Sequence, residues 1–149
     1  MSVSGFTPLS ERLARQSALL DATFGAGGYR IDSDDAHRAT LRSDGIEWRA
    51  GVDERDGALG THLIARGDCW EEEAGPWLWA LFLAEEPRPF PRDGSGRVTV
   101  PLDDQLGSEL ELLARLRGEI FCKPSSAREA ASFVRCYTRA YNDWASGKF

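Results

Sequence analysis

Few residues in this chain carry soft nucleophiles or transition-metal donors: three cysteines, Cys69, Cys122 and Cys136, and two histidines, His37 and His62. A thiolate nucleophile needs a base beside it. The only arrangement that offers one is Cys69 with His62, against the simpler account that each thiol is a small buried hydrophobe. A metal held by His37 and His62 needs their strands to align with a carboxylate, because no His-x-x-x-His spacing is present. Asp32-Ser-Asp-Asp35 begins like a calcium loop, but Ala36 stands at the next ligand position and no glycine follows, so it is expected to be a turn. Neither Gly25-Ala-Gly-Gly28 nor Gly94-Ser-Gly96 carries the Gly-Lys-Ser/Thr of a phosphate loop, and there is no Gly-x-Ser-x-Gly elbow. The expectation is no catalytic set, no cofactor and no metal.

Carboxylates are the more informative group. Asp32, Asp34, Asp35, Asp53, Glu54 and Asp56 fall in or beside expected turns, and Glu71, Glu72 and Glu73 follow Trp70 directly. An acidic surface next to an aromatic can steer and anchor a basic protein, so these ten residues form the candidate partner-binding set. The competing account is that turns are polar and acidic residues keep a small protein soluble. Up to Glu111 the chain has 21 acidic and 11 basic residues, whereas from Leu112 onward it has three acidic and seven basic. Within that basic part, Arg128, Arg135 and Arg139 lie within roughly 40° of one another on a helix, opposite an aromatic stripe.

The elements that must position these groups follow from periodicity. Thr7-Pro8 caps a helix over residues 8–24, with Leu9, Leu13, Leu20 and Phe24 on one face and Gly25 as the stop. Strands are expected from Tyr29, over His37 to Arg42, over Ile46 to Asp53 and over Leu59 to Arg66, separated by turns at Asp32–Asp35, Ser43-Asp44-Gly45 and Glu54–Gly57. The clearest is Ile46–Asp53, where Ile46, Trp48, Ala50 and Val52 point one way and Glu47, Arg49 and Asp53 the other. Trp70 to Glu86 suits a buried helix better than a strand, with Glu71–Glu73 at its N-terminus and Pro76 in its first turn. Residues 87–96 are a linker, and Arg97–Val100 is a short strand. Asp103 is expected to cap a long helix ending at Lys123-Pro124, and Ser126-Ala-Arg-Glu129 to form a capping box for the last one. On that last helix Ala130, Phe133, Val134, Tyr137, Tyr141 and Trp144 share a face. Trp48, Trp77, Trp79 and Trp144 are assigned to the core and Trp70 to the surface.

Together these predict one α+β domain over residues 1–149: an antiparallel meander of four to five strands with helices on one face, one N-terminal helix and two C-terminal helices. The 149 residues suffice for one core, and 42% hydrophobic with 28% charged residues excludes a disordered or fibrous chain. The N-terminus has no basic and apolar leader, and the longest apolar run, Trp77 to Ala84, has eight residues, so the expected setting is the cytoplasm. Odd, unpatterned cysteines agree with a reducing compartment, and 16 arginines against two lysines suggest a GC-rich bacterial source. A net charge of −6 disfavours nucleic acid and acidic membranes as partners. The function expected is an immunity or antitoxin-type inhibitor that occludes a basic toxin or effector domain. The alternatives are a secretion-type chaperone, which would dimerise, and a small enzyme or ligand-binding domain with a pocket between sheet and helices.

Overall fold

A computed structural model describes residues 6–147. Five strands, β1 (Tyr29–Asp35), β2 (Arg38–Ser43), β3 (Ile46–Asp53), β4 (Ala58–Arg66) and β5 (Glu71–Ala74), pair antiparallel in the order of the chain. Asp44-Gly45 makes the tight β2–β3 turn, and Gly45 takes φ +73°, a conformation that side chains resist. The α+β meander expected from the sequence is therefore present.

Register explains how the sheet is used. Ile31, Leu41, Trp48, Leu63 and Ala74 sit opposite one another across all five strands, so one row of apolar residues crosses the inner face. The helices α1 (Leu9–Ala14), α2 (Ser17–Phe24), α3 (Pro76–Leu81), α4 (Leu102–Glu119) and α5 (Pro124–Ala145) complete the fold. α1 lies on β1 and β2, α3 and α4 on β4, and α5 on β5. Leu106, Leu110, Leu113 and Leu116 of α4 are almost fully inaccessible beside Trp48 and Leu63, and each such side chain contributes about 1.5–3 kcal/mol by leaving water. Trp79 is equally buried, its indole N–H donating to the Leu63 carbonyl at 3.3 Å.

Gln105 is the polar centre of this interface. Its side-chain oxygen accepts the Leu59 N–H at 2.9 Å, and its amide donates to the carbonyls of Gly57 at 2.8 Å and Val100 at 2.9 Å. One buried side chain thus ties the β3–β4 turn to the start of α4.

Several expected boundaries move. The helix over 8–24 is two helices, bent at Arg15-Gln16 where the Gln16 N–H bonds the Leu13 carbonyl at 2.9 Å. The bend lets α1 follow the sheet while α2 packs on α4. Asp32–Asp35 belongs to β1 rather than to a turn, since Arg42 and Thr40 on β2 supply cross-strand partners for Asp32 and Asp34. His37 falls in the turn that follows. Glu71–Glu73 form the fifth strand instead of a helical N-terminus, and the helix shrinks to Pro76–Leu81. Arg97–Val100 is no strand; only an isolated Arg92–Val98 bridge remains. Asp103 is not the cap of α4, which starts after Pro101, but bonds Arg12 from the first turn at 2.8 Å. α4 ends at Glu119, before Lys123-Pro124. Ser126 sits inside α5 and bonds back to the Ile120 carbonyl, so the capping box does not form.

Replacing Gln105 by leucine leaves two carbonyls and one N–H unpaired in the core. The expected loss is about 3 kcal/mol, a fall in Tm of about 9 °C by thermal denaturation. A Tm within about 2 °C of the parent would show that the clamp contributes nothing.

Candidate protein-binding surface

The ten residues singled out from sequence do not form one patch. β1 and β5 are opposite edges of the sheet, so Asp32 and Asp34 lie about 19 Å from Glu71–Glu73 at four strand spacings. Asp35, Asp53, Glu54 and Asp56 gather at the end that carries the β1–β2 and β3–β4 turns.

Each of the nine carboxylates has a partner within the chain. On the outer face Asp32 meets Arg42 at 2.8 Å and Arg30 at 3.2 Å, and the Arg42 hydrogen bond above all holds its carboxyl below the usual range. Asp34 accepts the Thr40 hydroxyl at 3.0 Å. Asp35 accepts the His37 N–H at 2.7 Å. Asp53 accepts the Arg55 N–H at 2.9 Å and Asp56 that of Ala58 at 3.0 Å, short local bonds that close the β3–β4 turn. Both carboxyls are lowered, Asp53 chiefly by the Arg55 side chain and Asp56 chiefly by the Ala58 N–H and then Arg92. Glu54 pairs with His37 at 2.8 Å, Glu71 with Arg66 at 2.7 Å and Glu73 with His62 at 2.7 Å. Glu72 alternates to the inner face and meets Arg135 of α5 at 3.3 Å. Trp70, expected at the surface, is half-buried against the edge of the core.

The outer face pairs arginines with carboxylates. Glu47, 2% exposed, is bracketed by Arg42 and Arg49, and the row Arg30, Arg42, Glu47, Ile64, Glu73 crosses the sheet. Such pairs neutralise one another and leave little directed field.

His62 and Cys69 do not meet: His62 faces Glu73 on the outer face, while Cys69 lines a groove with no histidine in its walls. That groove, about 760 Å³, lies between the β2–β3 and β4–β5 turns and the α4–α5 connection, with Cys69 and Cys122 both on its surface. His37 and His62 stand apart on different carboxylates, and among the described residues no three metal-binding side chains converge. All three cysteines are free and exposed, not buried hydrophobes.

What the sequence reading missed lies on α5. Ala127, Ala130, Ala131 and Val134 bury its first half, but the helix runs to Ala145, and every residue from Arg139 to Gly147 is exposed. Eleven residues past Val134 reach about 16 Å beyond the last core contact. Tyr137, Tyr141 and Trp144, which share a face and of which Trp144 is assigned to the core, are 46%, 57% and 61% exposed and are the exposed large hydrophobics of the described chain. They prolong the core as a ring ladder. Phe82 meets Phe133 edge-on at 5.8 Å, Phe133 meets Tyr137 at 6.2 Å, and Tyr141 meets Trp144 at 6.0 Å. The signal was the change along one stripe from alanine and valine, which pack helices closely, to tyrosine and tryptophan, which favour interfaces.

No family profile matches the chain, and neither the curated proteins nor the solved structures give a significant match.

One buried titratable group stands outside these surfaces. Glu109 of α4 is 7% exposed; burial raises its pKa, opposed by the Thr61 hydroxyl at 3.2 Å. The folded chain therefore holds this proton more tightly than the unfolded one, so its contribution to stability is present at acid pH and is lost as pH rises from about 4.5 toward neutrality. Glu109→Gln is expected to raise Tm at pH 7 by about 2–4 °C, the equivalent of about 1 kcal/mol, and to change it little at pH 4. An equal effect at both pH values would contradict this origin.

Proposed function

We propose that this chain is a protein-binding domain of the immunity or antitoxin type, which occludes a working surface of a basic partner protein. The observation that carries the reading is the distal half of α5, where Tyr137, Tyr141 and Trp144 lie on a helix and no other described residue hides them. Solvated tyrosine and tryptophan on a rigid element are the residues that most often dominate binding energy. The net charge of −6 adds long-range attraction for a basic partner. Free, exposed thiols suit a reducing compartment such as the cytoplasm, and among the described residues no helix is long and apolar enough to cross a membrane.

The groove beside Cys69 and Cys122 supports a second reading, a ligand-binding domain. A panel of small metabolites that shifts Tm would favour it.

The test is capture of the partner on the tagged chain from cells of its own source, at low and high salt, followed by purification of the captured protein. The expected result is a 1:1 complex in which the partner's activity is lost in proportion to the chain added. A partner that stays fully active in the complex, or an unfolded client held by a dimer of the chain, would overturn the inhibitor reading.

A further inference from the structure

The groove that carries Cys69 and Cys122 also has Asp44, Asp68 and Arg128 in its walls. All three are exposed, and none forms an ion pair or hydrogen bond with another described residue. The fold divides them by sign. Asp44 and Asp68 belong to the β2–β3 and β4–β5 turns, which are tied side by side where the Arg66 N–H donates to the Gly45 carbonyl at 2.9 Å. Arg128 comes from the helical side, one turn into α5. The fourth charged residue of the walls, Arg66, is held by Glu71 at 2.7 Å. Trp70 and Phe121, both packed on the core, supply the aromatic part of the lining. The Trp70 indole lies on Gly67, where any Cβ would overlap it.

A volume of about 760 Å³ is that of a small-molecule site. Its charges select the occupant. A purely anionic molecule meets Asp44 and Asp68, a purely cationic one meets Arg128, and an apolar one takes water from all three without replacing it. A zwitterion answers both signs, its ammonium facing the aspartates and its carboxylate the guanidinium, with Trp70 and Phe121 against its carbon skeleton. The thiols narrow the class further. Cys69 follows Asp68 on one wall and Cys122 follows Phe121 on the other, so two of the three free cysteines open into this groove. Cys136 is equally free and exposed, but it stands on α5 and is not part of the walls.

Resting on the reading of this groove as a ligand site, and independent of the role of α5, we infer that it takes a zwitterionic disulfide of the cystine or cysteinyl-peptide class, one molecule at a time, and holds half of it covalently at Cys69 or Cys122. The thiolate of the cysteine attacks one sulfur of the bound disulfide. A protein–ligand S–S bond forms, the ligand's own S–S bond breaks, and the departing half leaves as a thiolate that takes up the proton the cysteine released. In a reducing compartment the adduct forms as the disulfide share of the small-thiol pool rises, and the reduced thiol reverses it.

The experiment treats the reduced full chain with three small disulfides, zwitterionic cystine, cationic cystamine and anionic dithiodiglycolate, and follows each cysteine by mass spectrometry of its peptide. Cys136 is the internal reference for an exposed thiol outside the groove. With cystine, Cys69 and Cys122 together are expected to react at least about tenfold faster than Cys136, with one groove adduct per chain, whereas the other two reagents show no such preference. Arg128→Gln, and Asp44→Asn with Asp68→Asn, are each expected to cut the cystine preference about threefold and to leave Cys136 unchanged, circular dichroism confirming that both variants are folded. Equal rates at all three cysteines with cystine would overturn the inference. A preference shared by the three reagents would do the same, because it would reflect access and not charge, as would a Cys69–Cys122 disulfide with no retained adduct. A metabolite outside this class that shifts Tm and shields both thiols would overturn the zwitterionic disulfide alone and leave the ligand-binding reading standing.

Discussion

The molecule depends on one constraint: a five-stranded meander has two faces, and this chain has helices enough to cover one. The apolar row through Ile31, Leu41, Trp48, Leu63 and Ala74 fixes which face that is. A slip of one residue in any strand would turn its share of the row to water. Gln105 locks the same choice from the helix side, because its three bonds to Gly57, Leu59 and Val100 can be made only with the β3–β4 turn seated against α4.

The uncovered face has to be stable in water without becoming adhesive, and its composition answers that need. Arginines and carboxylates of β1, β2 and β3 satisfy one another, with Glu47 bracketed by Arg42 and Arg49. The acidic residues that looked like a binding site in sequence are largely parts of this arrangement or of the turns at its end. Their pairing is a consequence of strand register, which brings Asp32 opposite Thr40 and beside Arg42 although they are distant in sequence.

Much of the fold was legible for the same reason that it is stable. Ile46–Asp53 sets Ile46, Trp48, Ala50 and Val52 against Glu47, Arg49 and Asp53, and the structure returns those bounds unchanged. Glu71–Ala74 was illegible because three glutamates beside Pro76 satisfy helix-start chemistry, and only pairing with β4, which sets Glu72 inward toward Arg135, makes them a strand. The stripe on α5 was legible as a stripe; its exposure was not. Periodicity states which residues share a side of a helix, while the length of the partner layer decides how many of them are covered. Ala127 to Val134 meet that layer, and Tyr137 to Trp144 lie past it.

In the proposed reading the sheet is a rigid base and the last helix is the probe. The most direct measurement is amide hydrogen exchange of the chain alone and in complex with its captured partner. The account predicts that new protection falls on residues 133–145, which exchange faster than 124–134 in the free chain, while residues 32–35 and 53–56 change little. Protection confined to those acidic segments, with α5 unaltered, would contradict it.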